Sequence, residues 1–190
     1  YKYYETAAQE GFIDYDKTVQ YPFGYGLSYT EFEQKMGELE EKDGQISVDV
    51  EVTNSGDVAG KDVVEVYYKP PYTNGGIEKS SANLIEFEKT NLLQPGESQT
   101  VTVTFSIEDM ASYDENNAKA YVLEKGDYVI SINSDSHTVL DQKTYTADKD
   151  VVYKGENKRA SDDTAATNVF EDAKGDVTYL SRADHFANYE

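Results

Sequence analysis

The sequence predicts an all-β protein, an antiparallel β-sandwich with extended arms at both ends. Two stretches carry most of that reading. Ile46, Val48, Val50 and Val52 alternate with Ser47, Asp49, Glu51 and Thr53. Val101, Val103, Phe105 and Ile107 alternate with Thr102, Thr104 and Ser106. Successive side chains of a strand point to opposite faces, so a period of two describes strands with one dry and one wet face. The third observation is spacing: roughly seven short strand patterns follow one another, separated by turn signals and without helices between them.

Taken in order, residues 1–20 are tyrosine-rich and without a clean period; Glu5 to Gln9 is expected to form one helical turn stopped at Gly11. This segment is either the trailing end of something that precedes it or an arm packed on the sandwich. Tyr21 to Thr30 reads as a stiff connector. Pro22 fixes its own φ and biases Tyr21 toward an extended backbone, while Gly24 and Gly26 permit positive φ or close approach. The acidic run Glu38 to Asp43, ending at Gly44, is expected to be an exposed turn. The strand of Ile46–Thr53 ends in the turn Asn54-Ser55-Gly56-Asp57. Val63, Val64, Val66 and Tyr68 mark the next strand, which Pro70-Pro71 terminates because proline cannot donate to a ladder. Tyr72 to Asn83 is a loop. Leu84 to Glu88 is a short strand with Ile85 and Phe87 on one face. Pro95-Gly96 is a turn before the Val101–Ile107 strand, and Asp109 to Asn117 is a polar connection. Ala120 and Val122 lie on a strand, Lys125-Gly126-Asp127 turns the chain, and Tyr128, Ile130 and Ile132 alternate on another. Thr138 to Tyr145 adds a last strand, with Val151 to Tyr153 as one more edge candidate. Burying each Val, Ile or Phe contributes about 1.5–3 kcal/mol, enough for the inner faces to stabilise this fold without disulfides. Beyond Asp148 the pattern dissolves into a polar linker, with a short helix expected over Asn168–Lys174 before Gly175.

The 190 residues carry 37 acidic and 17 basic side chains, a formal net charge of −20. That excludes the broad positive face needed for nucleic acid or an anionic membrane surface as partner. There is no cysteine, which removes disulfides, zinc–thiolate sites and cysteine nucleophiles. No run approaches the roughly 18 apolar residues of a membrane span. The compartment stays open. The chain begins at Tyr1 in mid-pattern and is expected to be an internal piece of a longer protein.

No catalytic, metal or cofactor pattern emerges. Asp57, Asp109, Asp114, Glu115, Asp162 and Asp163 fall in loops or turns, where solvation explains them, and no pair of carboxylates is privileged for glycoside chemistry. His137 and His185 have no metal-ligand spacing. Gly24-Tyr25-Gly26 lacks the third glycine of a nucleotide fingerprint and precedes a strand pattern. The tyrosines remain. A tyrosine offers a flat apolar face with a polar tip, suited to a sugar ring. Tyr72 beside Gly75-Gly76, with Asn74, and the pair Tyr21 and Tyr25 are the substrate-binding candidates; packing between a connector and a domain surface is the simpler account of these tyrosines. Tyr21, Phe23, Tyr25 and Tyr29 are read as a domain interface, with exposed side chains as the expected signature.

The segment YPFGYGLSYT (Tyr21 to Thr30), followed by Phe32, resembles the junction between the α/β sandwich domain and the fibronectin type III-like domain of family 3 glycoside hydrolases, and YKYYET (Tyr1 to Thr6) resembles the end of the same junction. VEVTNSGDVAGKDVVEVYYKPP (Val50 to Pro71), LQPGESQTVTVTF (Leu93 to Phe105) and LEKGDYVISINSDS (Leu123 to Ser136) resemble strand pairs of that domain. TYLSRAD (Thr178 to Asp184) resembles the lead-in to the catalytic barrel in members of inverted domain order, departing at His185, where an aromatic is expected. The resemblance implies an immunoglobulin/fibronectin type III-like sandwich over residues 31–146, a junction over 1–30 and a linker over 147–190. It implies a bacterial parent of β-glucosidase type, whose catalytic aspartate and acid/base lie in other domains, so no catalytic residue is carried over. The partners it implies are those catalytic domains. A carbohydrate-binding module using the Tyr72 loop, with an oligosaccharide partner, and an adhesion or spacer domain are the rival readings.

Overall fold

The computed structural model describes residues 1–189. It contains ten strands: β1 (Phe32–Lys42), β2 (Gln45–Asn54), β3 (Val63–Lys69), β4 (Asn83–Lys89), β5 (Ser98–Ser106), β6 (Ser112–Asp114), β7 (Ala120–Leu123), β8 (Gly126–Asn133), β9 (Val139–Ala147) and β10 (Val151–Tyr153). Two short helices precede them, α1 (Lys2–Gln9) and α2 (Tyr15–Thr18). One layer runs β1-β2-β5 and the facing layer β4-β3-β8-β9; β10-β7-β6 form a third, small sheet. All pairs are antiparallel.

The alternation places the core where the sequence predicts it. Ile46, Val48, Val50 and Val52 of β2 stand opposite Phe105, Val103, Val101 and Gln99 of β5. The β2 valines and isoleucine are buried with Val64 and Val66 of β3 and Tyr128, Ile130 and Ile132 of β8. Tyr121, Val151 and Tyr153 of the small sheet pack against this same core. Two antiparallel sheets face each other across one apolar interior, an immunoglobulin/fibronectin type III-like sandwich with an arm at each end.

Several details differ from the sequence reading. The acidic run is not a turn: β1 continues through Lys42, and only Asp43 and Gly44, with φ of 52° and 76°, reverse the chain. A two-residue hairpin with both φ positive matches the strand twist, so the acids are spaced along a solvent-facing strand. Phe87 and Ile85 do not share a buried face. The β3–β4 register shifts between Val66 and Tyr67, leaving Ile85 as the extra residue. Ile85 packs against the core, while Phe87, opposite Glu65, is exposed. Part of the polar connection is a 3-10 turn, Ile107–Met110, followed by β6; Met110 is fully buried. Val151–Tyr153 does form a strand, paired with β7. The helix expected over Asn168–Lys174 is only a 3-10 turn, Glu171–Ala173.

The first helix is longer than expected. It runs from Lys2, and Gly11, at φ 71°, leads the chain away from it. Its arm packs on the sandwich. Thr6 Oγ1 accepts from the Ser81 N–H at 3.0 Å, and Tyr1 Oη accepts from the Leu84 N–H at 3.0 Å.

At the other side of the connector, Asn54 fastens three segments. Its side chain is completely buried. Nδ2 donates to the carbonyls of Val58 (2.8 Å) and Leu93 (2.9 Å), while Oδ1 accepts from Thr30 Oγ1 (2.7 Å) and the Gly56 N–H (3.1 Å). All four hydrogen-bonding positions of one amide are thereby used. The last residue of the connector is tied to the sandwich at a fixed point.

Candidate functional site

Two groups of residues single themselves out: the connector, with the arm behind it, and the Tyr72 loop. The connector is held by its backbone. Ser136 N–H donates to the Phe23 carbonyl at 2.7 Å, and Tyr25 N–H closes a turn on the Pro22 carbonyl at 3.1 Å. Gly24, at φ 87°, lies against Glu65; a β-carbon there would stand 2.6 Å from Glu65 Oε2. Burial raises the Glu65 carboxyl above its ordinary range, opposed by the Tyr67 hydroxyl, which donates to Oε2 at 2.9 Å.

With the backbone held, the side chains point away. Tyr21 is 64% exposed, Phe23 47%, Tyr25 47%, Leu27 90% and Tyr29 96%. The rings of Tyr21 and Tyr25 lie 5.3 Å apart, and Phe23 stacks on Tyr1 at 4.4 Å. Five large apolar side chains in one ten-residue stretch, each about half exposed or more, differ from the scattered single hydrophobes of an ordinary surface. Gly26 and Ser28 between them add no bulk that would screen them.

Behind the connector sits a cluster that the sequence does not announce. The buried carboxylate of Glu5 accepts from Tyr15 Oη (2.6 Å) and Ser136 Oγ (2.7 Å) at Oε1, and contacts His137 Nδ1 (2.8 Å) at Oε2. The Tyr15 and His137 rings stack at 3.7 Å. Asp135 Oδ1 shapes the turn by accepting from the N–H groups of His137 and Thr138. Serine, histidine and carboxylate meet here, but not as a nucleophilic triad. The Ser136 hydroxyl is hydrogen-bonded to the carboxylate, so the bond from nucleophile to base that activates a serine is not made. The cluster joins the arm to the turn between β8 and β9. A cleft of about 470 Å³ lies beside it, lined by Glu5, Ile13, Tyr15, Tyr67, Asn133 and His137 among others. The only local signal was the turn sequence Asp135-Ser136-His137; its partner lies 131 residues away.

Tyr72 and Asn74 form a separate group. Tyr72 Oη donates to Asn74 Oδ1 at 3.3 Å. One face of the Tyr72 ring is covered: the Arg182 guanidinium carbon sits 3.8 Å from the ring centre. Burial raises the Tyr72 hydroxyl above its ordinary value. Among the described residues, no group of three or more His, Cys, Asp or Glu side chains is arranged to hold a metal ion.

Comparison with known proteins agrees with this architecture. Residues 62–136 match the fibronectin type III-like domain family. A β-glucosidase from Ruminococcus albus is 34% identical over 194 aligned residues, covering 98% of this chain and 19% of that protein. The structure of β-glucosidase 3B from Thermotoga neapolitana in complex with α-D-glucose superposes with a TM-score of 0.67 at 34% identity, covering 80% of this chain and 19% of that one. The GH3 β-glucosidase of Bifidobacterium adolescentis superposes at 0.66 with 29% identity, covering 78% of this chain and 20% of that one. The chain thus spans about a fifth of the length of these relatives. It is a fibronectin type III-like region of the kind that family 3 glycoside hydrolases carry.

Proposed function

We propose that this region is a non-catalytic accessory part of a family 3 glycoside hydrolase that cleaves O-glycosyl bonds, a β-glucosidase by its relatives, and that it holds the flanking catalytic domains in register. The observation that carries this reading is the connector: five exposed apolar side chains on a backbone that the sandwich holds still. Such a strip fits a docking surface for a neighbouring domain. Tyr21, Phe23, Tyr25 and Tyr29 are its contacts in this proposal, with residues 1–30 as the junction, 31–146 as the sandwich and 147–190 as the linker toward a following barrel. Register matters because a misplacement of about 1 Å between reacting groups can cost on the order of 100-fold in rate.

Two measurements test it. The isolated chain is expected to give no turnover of an aryl β-glucoside, and turnover clearly above blank would sink the claim that it is catalytically inert. In the whole enzyme, Leu27→Ser with Tyr29→Ser is expected to lower kcat while leaving the unfolding of the isolated chain unchanged; unaltered kcat would remove the docking role. An oligosaccharide contact at Tyr72 and Asn74 would have to use the ring face opposite Arg182. Titration of the chain with cello-oligosaccharides, followed by tyrosine fluorescence, tests that contact.

A further inference from the structure

The tail beyond β10 has a seat of its own. Among the described residues, the sandwich core draws on none beyond Tyr153, and residues 175–180 are exposed. Then two side chains go under. Arg182 is 6% exposed and Phe186 4%. A small loop brings them to the same side: Phe186 N–H donates to the Ser181 carbonyl at 2.9 Å, and His185 and Phe186 both take positive φ, 59° and 55°. Neither is glycine, so that conformation costs free energy that the seat must offset.

The seat has a polar and an apolar half. In the polar half, Arg182 donates to Glu10 Oε1 through Nε (3.0 Å) and Nη2 (2.5 Å), and through Nη1 to the Lys79 carbonyl (3.0 Å). Its plane lies over Tyr72. Glu78 reads the adjoining chain, accepting from Ser181 Oγ (2.7 Å) and the Arg182 N–H (3.0 Å). In the apolar half, Phe186 meets Tyr3 at 5.3 Å and Phe12 at 5.4 Å, and Tyr189 stacks on Tyr3 at 5.4 Å. The planar fork is used on three sides and on one face, which a lysine ammonium cannot reproduce.

We propose that the groove between the first arm and the 72–83 loop is a peptide-recognition site selective for the pattern Ser-Arg-x-x-x-Phe, and that its occupant is the chain's own tail, residues 178–189. This assignment is independent of any role in a parent enzyme. The tail is a ligand joined to its receptor by an exposed tether, so it should remain bound after the tether is cut and should yield to the same peptide supplied from outside.

The test introduces a protease site at the exposed Gly175–Asp176 turn of the full chain. After cleavage, the tail is expected to co-elute with the sandwich in gel filtration. A synthetic peptide of residues 178–189 should displace it. Peptides carrying Arg182→Lys, which keeps the charge but loses the fork's bonds to Glu10 and Lys79, or Phe186→Ala, which empties the apolar half of the seat, should need about 100-fold more to do so. Because these changes are made in the peptide, a misfolded sandwich cannot imitate the result. Exchange of cut tails between two differently labelled copies would support the same conclusion. Loss of the tail on cleavage at micromolar protein, or equal competition by all three peptides, would overturn it.

Discussion

Replacing Asn54 by alanine should detach the connector's end from the sandwich and destabilise the whole domain. The wild-type amide makes four hydrogen bonds inside a completely buried site. Alanine strands the carbonyls of Val58 and Leu93, the Thr30 hydroxyl and the Gly56 N–H. A buried polar group left without a partner costs about 1–3 kcal/mol. The Leu93 carbonyl also accepts from the Gly60 N–H at 3.1 Å, and the Gly56 N–H also reaches the Glu31 carbonyl at 3.2 Å, so these two are only partly orphaned. That leaves about two full penalties and two reduced ones, or roughly 3–5 kcal/mol, a large part of a domain's net stability. Asn54→Asp is the sharper variant. It is nearly isosteric and keeps the acceptor for Thr30, but it replaces the donor with an oxygen facing two carbonyls. It should therefore be no better than alanine at neutral pH. Urea denaturation at constant m would measure both, and Thr30→Val would complete a double-mutant cycle with a coupling near 1 kcal/mol. A loss below about 1 kcal/mol for Asn54→Ala would refute the reasoning, because it would mean that these groups find other partners.

Three further outcomes are expected. Glu5→Ala removes the acceptor shared by Tyr15 and Ser136, both buried, and by the more exposed His137; protease sensitivity of residues 1–20 should rise steeply, at a global cost of about 2–4 kcal/mol. Burial disfavours the Asp114 carboxylate, but the N–H groups of Ala118, Asn117 and Asn116 outweigh it and hold the folded pKa below the ordinary value. The sign follows: the stabilisation is present above the unfolded carboxylate pKa and is lost as pH falls through the depressed folded one. The gap of about 1–2 kcal/mol between wild type and Asp114→Ala should therefore narrow in thermal unfolding as pH falls below the ordinary carboxylate range and through the depressed folded pKa. Gly24→Ala combines a positive φ with a β-carbon 2.6 Å from Glu65 Oε2, so it should cost about 1–2 kcal/mol and weaken the Tyr67–Glu65 hydrogen bond, readable as a shifted Tyr67 hydroxyl signal in NMR.

The central strands were legible because burial imposes a period of two on them. β2, β5 and β8 each have one wall of the core to fill, and their apolar inner residues are all β-branched or aromatic. β1 was harder to read. Its outer half is acidic because one face meets water, and the charge masks the strand that carries it. The alternation in β4 misled because a single extra residue at the bulge reverses the faces on either side. The connector could be read from Pro22, Gly24 and Gly26, since backbone constraint is written locally. The partners of Glu5, Asn54 and Arg182 could not. Asn54 looks like any turn asparagine, and Arg182 like any exposed charge in a polar tail. What distinguishes them is a partner far along the chain, Ser136 for Glu5 at 131 residues, Leu93 for Asn54 at 39 and Glu10 for Arg182 at 172, and no local pattern encodes those.

The exposed strip on the connector has a consequence for the molecule in solution. It is apolar and exposed, yet it belongs to a chain with a net charge of −20. Two copies approaching strip to strip must first bring two strongly negative bodies together, and at about 0.15 M salt that repulsion still acts over roughly 8 Å. Self-association through the aromatics should therefore grow with ionic strength, the reverse of what an ion-pair contact shows. In the proposed docking role, the bulk charge would then act as a filter on the strip, favouring a surface that is neutral or basic around its apolar centre over another copy of the same chain.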